Sequence, residues 1–420
     1  MNKLSTPTKI SIALLALYTF SIGIEELITI PLAGNKVQVP EIIFLIYAFS
    51  IFINIRKMHF NKLQLNQLDL SVVLYFSAVA ISFIINQTRN SFGELLGITY
   101  LMGLFFLTKL LIVSNYSLYP KIREIVLKAA ILGAITAILF GFLGCLLFYW
   151  DGRVQYIWFY RDYPIIGDSI RIKGNVSNPI TFCSYLVSLI IILIPNKSFN
   201  KNTKIGLIVF LIMGVIATKT KSLILLFSVI LLYLTRNKTN KLMRFSAQLI
   251  AGIAIGFYLI ASHFLIAPAN NTALLHNKSY GSNSIIYKNN DFLITPTAYS
   301  VLKKSAFLAF TNSPIVGVGG NELIKYSKIL FDQNKLTIDP NCAPHSTYFG
   351  ALGELGLVGF SAILFLLYCV FQQIQLSPNK EIYLYLLGFI VLEMVTVDLM
   401  TFRNYWLMLA FLNTENYKLK

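Results

Sequence analysis

Apolar residues in this chain fall in long, nearly unbroken blocks. They do not follow the alternating or every-third-residue patterns of soluble strands and helices. The blocks recur at about 10–30, 41–55, 70–86, 96–114, 126–150, 179–195, 204–218, 221–235, 245–267, 346–371, 381–397 and 400–415. A helix needs about 20 mostly apolar residues to cross the hydrocarbon core of a bilayer. The twelve blocks therefore predict about twelve spans, the last two able to merge into a re-entrant pair. Between the ninth and tenth blocks runs a polar stretch, 268–345, with a helix-like apolar pattern at 299–310. The expected architecture is an all-α integral membrane protein. A single polytopic domain, 1–420, would carry one large embedded loop, 268–345, on the non-cytoplasmic side.

Composition agrees. The 420 residues are 56% hydrophobic and 13% charged, whereas soluble domains are about 45–50% apolar and about 25% charged. The net charge of +17 would suggest nucleic acid in a soluble protein. In a membrane protein, lysine and arginine gather in cytoplasmic loops and set orientation, so no nucleic-acid partner is expected. Cys145, Cys183 and Cys369 lie in apolar runs, and with Cys342 they form no CxxC pair. Neither a zinc site nor a disulfide framework is indicated. The first span can act as an uncleaved start signal.

With the N-terminus placed inside, the cytoplasmic segments carry eighteen lysines and arginines and the short outer segments nine. The two-to-one bias predicts that both termini are cytoplasmic. Six of the nine outer cations are clustered. Arg153, Arg161, Arg171 and Lys173 lie in the 151–178 loop, and Lys219 and Lys221 in the tight turn Ala217-Thr-Lys-Thr-Lys-Ser222. Such a cluster suits an anionic, lipid-borne substrate such as a diphosphate. Arginine grips phosphate oxygens in a fork and lysine acts as a point charge. Any one of these cations could equally contact anionic headgroups.

The most informative stretch is Pro344-His-Ser-Thr-Tyr-Phe-Gly-Ala-Leu-Gly-Glu-Leu-Gly-Leu-Val-Gly-Phe360. His345 stands where the large loop meets a span, and Ser346 and Thr347 suit a helix start. A histidine at a water–membrane boundary can serve as a general base at neutral pH, or simply bond a loop carbonyl. Gly350, Gly353, Gly356 and Gly359 form a small-residue stripe that lets another backbone come close. Glu354 lies nine residues after His345, about 13.5 Å deeper and about 180° around a helix. It is expected to support a neighbouring polar group and not the histidine. Asp398 and Arg403 point about 140° apart on a continuous helix and pair only if the helix breaks between them. His59, His263 and His276 carry no pattern that assigns them a role.

The Pro-His-Ser-x-Tyr…Gly-Glu-x-Gly-x-x-Gly-Phe pattern resembles the signature of the O-antigen ligase and O-antigen polymerase superfamily. Asn312-Ser-Pro-Ile-Val-Gly-Val-Gly-Gly320 is similar to that family's loop segment ending in Pro-x-x-Gly-x-Gly. Arg171-Ile-Lys-Gly-Asn-Val-Ser-Asn-Pro179 is similar to its Arg/Gly/Asn-Pro segment before the sixth span. Twelve spans with the large loop after the ninth match the ligase layout.

The resemblance implies glycan transfer on the periplasmic face of the bacterial inner membrane, without metal or other cofactor. A polysaccharide on undecaprenyl diphosphate would move, by inverting chemistry, to lipid A–core in a ligase or to another lipid-linked glycan in a polymerase. Ligation is the leading expectation and polymerisation the alternative. A polysaccharide flippase or other transporter is the alternative of another class, against which no inverted repeat is evident. By the resemblance His345 is the base or positions the acceptor hydroxyl. Arg171, Lys173, Lys219, Lys221 and Lys303 are candidates for holding the diphosphate, with Glu354, Asp398 and Arg403 in support. Two departures stand out: Lys221 and Tyr299 occupy positions where the family usually has arginine, with Lys303 and Lys304 one turn after Tyr299.

Overall fold

The computed structural model describes residues 6–32, 35–58, 63–163, 167–269, 286–333 and 345–415. His59, His276 and Cys342 lie outside them. Each of the twelve apolar blocks is helical: α1 (Thr6–Ser21), α2 (Val39–Ile53), α3 (Gln67–Asn86), α4 (Arg89–Ser114), α5 (Tyr119–Asp151), α6 (Pro179–Leu193), α7 (Lys201–Thr218), α8 (Ser222–Thr235), α9 (Lys241–His263), α12 (Thr347–Leu376), α13 (Lys380–Glu393) and α14 (Arg403–Glu415). The large loop adds α10 (Ala298–Asn312), close to the expected 299–310, and α11 (Leu323–Asp332). Among the described residues, seven helices are long and apolar enough to cross a membrane. The chain is a mostly helical, multi-pass membrane protein.

Local sequence sets the helix starts. Asn66 and Asp69 form a capping box on α3. Asn178 accepts from Ile180 and Thr181 at the start of α6, with Pro179 in the first turn. Ser346 accepts from Phe349 on α12. Side chains of this kind meet the backbone N–H groups that a helix start leaves without partners. Outward-facing apolar residues such as Leu45, Phe49, Phe52 and Leu146, each 65–68% exposed, would make an aggregating surface in water. They are at home against lipid.

The all-α expectation misses the loops, which carry three small antiparallel sheets. β1 (Thr29–Leu32) pairs with β2 (Asn35–Gln38). β3 (Ile157–Tyr163) pairs with β4 (Gly167–Ile172), setting Trp158 opposite Arg171. β5 (Phe264–Pro268) and β6 (Tyr287–Lys288) flank β7 (Phe292–Pro296).

The glycine stripe of α12 does more than admit a close neighbour: the helix breaks at Gly356, where φ is +64° and ψ −159°. Within a bilayer, backbone groups freed by such a break must be satisfied internally. The 314–319 segment does this. The amides of Val318 and Gly319 donate to the carbonyls of Gly353 and Glu354 at 3.1 and 3.0 Å, and those of Leu357 and Val358 to the carbonyls of Pro314 and Ile315 at 2.9 and 3.1 Å. Gly317, at φ +68°, must be glycine here, because a Cβ would lie 2.2 Å from the carbonyl carbon of Glu354. The two segments that carried the family resemblance thus interlock. Gly350 has open space where a Cβ would be and takes no part.

Candidate functional site

Three connections bring separate elements to one end of the helices. The turn between α7 and α8 holds Lys219 in the left-handed region, at φ +48°, and Lys221 as the residue before α8. The β3–β4 hairpin reaches this turn through Arg171, whose Nε donates to the carbonyl of Thr218 at 2.8 Å. Lys221 Nζ donates to the carbonyl of Ala261 near the end of α9. Burial pushes the Lys221 ammonium down to about 8, and the Arg171 charge adds to the shift. A cation that burial and a like charge both disfavour is poised to gain from an incoming anion.

The end of α9 continues the chain of contacts. His263 Nδ1 bonds the carbonyl of Leu259 at 2.7 Å, which makes Nδ1 the protonated nitrogen and leaves Nε2 as an acceptor. Lys303 Nζ, on α10, donates to that Nε2. The start of α10 is tied to the same place, with the Thr297 amide donating to His263 O at 2.9 Å and its hydroxyl to Ser262 O at 2.6 Å. Lys303 Nζ also lies 5.0 Å from the ring centroid of Phe349 on α12, a cation–π approach. Desolvation lowers the Lys303 pKa.

Arg171, Lys221, His263 and Lys303 therefore form one continuous path that ends at Phe349, in the first turn of the helix that follows His345. His345 is exposed, yet enough protein surrounds it for desolvation to lower its pKa, so its imidazole is neutral at pH 7. Its neighbour Thr347 anchors the helix start: the amide donates to Met394 O at 3.0 Å and Val397 O at 3.1 Å, and the hydroxyl to Val397 O at 2.9 Å.

Other sequence-selected residues are engaged off this path. Lys173 pairs with Glu26 at 2.5 Å. Lys219 Nζ is 3.4 Å from Ser169 Oγ, on the hairpin. Residues 394–402 are not helical, so the break between Asp398 and Arg403 is present, but the two do not pair with each other. Asp398 accepts from the Met400 amide at 3.2 Å and the Thr347 hydroxyl at 3.4 Å. Arg403 forks onto Glu41 Oε1 at 2.8 and 2.6 Å, reaches Glu25 Oε2 at 2.7 Å and Gln38 Oε1 at 2.9 Å. It thereby ties α14 to the turn after α1 and to α2.

Glu354 faces Glu94 and Asp398, both near enough to act on its charge, and the carbonyl of Glu354 accepts from Ser82 Oγ at 2.9 Å. Glu94, on α4, presses on the interlocking loop: a Cβ at Gly320 would fall 1.6 Å from its Oε2. Among the described residues no group of three or more His, Cys, Asp or Glu is arranged to hold a metal ion.

Sequence reasoning missed His263, Glu94 and Glu393. His263 carried a signal, standing at the end of a span where the long loop begins. Glu94 and Glu393 are acids at or within apolar blocks, which by default calls for a partner. Glu393 has three: Ser184 Oγ at 2.6 Å, Ser222 Oγ at 2.8 Å and Tyr405 OH at 3.4 Å.

A search among curated proteins finds no similar sequence. The sequence model of the family described as O-antigen ligase matches residues 206–364, a stretch under half the chain that contains Lys221, His263, Lys303, His345 and both interlocking segments. The resemblance read from the sequence is borne out over this stretch: residues 206–364 carry an O-antigen ligase family domain, which supports an O-antigen ligase or related polymerase activity in general.

Proposed function

We propose that the protein transfers a polysaccharide from undecaprenyl diphosphate to an acceptor sugar on the periplasmic face of the inner membrane, as an O-antigen ligase acting on lipid A–core. The observation that carries this reading is the path Arg171–Lys221–His263–Lys303, assembled from three connections and ending beside the helix start that bears His345. In this reading the acceptor hydroxyl attacks the anomeric carbon of the donor sugar. The bond from that carbon to the diphosphate oxygen breaks, and the configuration inverts. The hydroxyl proton passes to the neutral imidazole of His345. Negative charge that grows on the departing diphosphate meets Lys221, Arg171 and Lys303, cations already in place when the charge develops. Both termini are cytoplasmic, twelve helices span the bilayer, and no metal takes part. Lys219 and Lys173 guide the donor from the rim of the cluster, and the Glu354, Asp398 and Arg403 contacts hold the ends of α12 and α14 in register.

A cell lacking the native gene, complemented with His345→Ala, tests the proposal. Mutant protein levels in the membrane are checked by blot and lipopolysaccharide is run on a gel. Loss of banded polysaccharide from lipid A–core, with long undecaprenyl-linked chains accumulating, supports a ligase. A single repeat left on core assigns a polymerase instead. Wild-type banding removes His345 from the chemistry.

A further inference from the structure

A polar cavity of about 250 Å³ lies where the segment before α6 meets the start of α14. Glu25, Ser177, Asn178, Thr181, Arg403 and Asn404 line it. Its charges are matched already. Glu25 Oε2 accepts from Arg403 at 2.7 Å and its Oε1 from the Ser177 amide at 2.7 Å, and Arg403 is further held by Glu41. The site therefore has little to offer an anion. Asn404 is different. It is 8% exposed, and its Nδ2 finds no hydrogen-bond partner among the described residues. A buried donor left without a partner is costly, and a hydrogen-bond acceptor entering the cavity that Asn404 lines would meet it. The space far exceeds the roughly 10–15 Å³ that one water requires.

The rest of the lining narrows the ligand. Tyr185 has committed its hydroxyl to Ala130 O at 2.6 Å and offers only ring surface, as does Phe402. Neutral donors and acceptors beside aromatic rings suit a ligand with many hydroxyls and exposed C–H faces. The location narrows it further. Tyr405, next to Asn404, bonds Glu393, which also bonds Ser222, the residue after Lys221. The cavity is thus joined through one carboxylate to the cation path.

We infer that this cavity is a subsite for an uncharged sugar ring of a lipid-linked glycan, with the Asn404 amide donating to a ring or hydroxyl oxygen. The inference rests on reading the cation path as the diphosphate site. Donor and acceptor both carry sugars, so the test must separate them. Full-length protein purified in detergent is titrated with two pairs of probes. The first pair is undecaprenyl diphosphate with and without the glycan that the cells attach to it. The second is lipid A with and without its core sugars. In one pair the glycan form binds wild type about tenfold more tightly, and that pair names the source. Asn404→Leu loses roughly this factor, the worth of one hydrogen bond at about 1.4 kcal/mol per tenfold, while affinity for the bare lipid is unchanged. Thr181→Val, a milder change in the same wall, weakens the glycan form in the same pair and decides the matter if Asn404→Leu does not fold. A glycan increment that survives both variants, or none in either pair for wild type, overturns the inference. Failure of wild type to bind bare undecaprenyl diphosphate instead removes the diphosphate reading, and the lipid A pair still reports on the cavity.

Discussion

Lys221 offers the sharpest test of the diphosphate site, because its charge is conditional. With a pKa of about 8, roughly ten in eleven molecules carry the cation at pH 7 and roughly one in eleven at pH 9. If only the charged form grips the diphosphate, apparent affinity scales with that fraction. Wild-type kcat/KM for the donor is then expected to fall about tenfold between pH 7 and pH 9, since this ratio reports groups of the free enzyme. Bound diphosphate stabilises the ammonium, so the matching limb in kcat is displaced to higher pH. Lys221→Arg stays protonated throughout and is expected to hold kcat/KM flat to pH 9. Lys221→Met is expected to be low and flat. Alkaline unfolding can be told apart by its sign. The folded state depresses this pKa from 10.5, so between about pH 8 and pH 10.5 the unfolded chain binds more protons and this group makes the fold more stable as pH rises. Activity and stability should therefore move in opposite directions across that window. The assay is glycan transfer by full-length protein in liposomes at fixed ionic strength. A wild-type profile that stays flat to pH 9, or a Lys221→Arg profile with the same alkaline limb, would refute the reasoning.

His345 predicts the other limb: its pKa is lowered from 6.5, so kcat/KM should decline only below the usual imidazole range, and His345→Gln should remove that acid limb along with most turnover. Gly317→Ala should cost about 3–4 kcal/mol, from about 1–2 kcal/mol of left-handed strain plus two weakened backbone bonds to α12 at about 1 kcal/mol each, seen as a lower melting temperature in detergent. Arg403→Leu leaves Glu25 and Glu41 without their cation and should destabilise by about 3–5 kcal/mol, whereas Glu25→Gln, which keeps an acceptor for Arg403, should cost less in the same thermal assay. Glu354→Gln should leave the melting temperature unchanged or raised, because it removes one of three neighbouring carboxyl groups while keeping an acceptor.

The helices were legible in the sequence because the bilayer imposes a simple rule on them: every one of the twelve apolar blocks is helical, and caps such as Asn178-Pro179 and Ser346 mark the starts. The sheets in the connecting loops were not, because short hairpins such as 157–172 depend on contacts made after the bundle packs. Residue-level pairing was harder still. Arg403 was expected to meet Asp398 only across a helix break; the break is there, but the partners of Arg403 are Glu25 and Glu41, from elements more than 350 positions away. No local pattern announces such a pair.

The glycines show where sequence pattern and physical cause diverge. Spacing every third residue suggested a small-residue stripe that lets another backbone come close. In the structure Gly350 faces open space, while the helix breaks at Gly356 and the 314–319 segment, bonded to the backbone on both sides of it, repairs the break. The repair couples the large loop to the span that follows His345: the strand-like bonds at Gly353–Val358 fix the loop's far end, and Lys303 against Phe349 fixes its near face. A loop held at both places cannot shift relative to α12 without exposing backbone groups that lipid will not satisfy. His345 and Lys303 are therefore positioned by one interlocked unit, which lies within residues 206–364, the stretch that the O-antigen ligase family model matches.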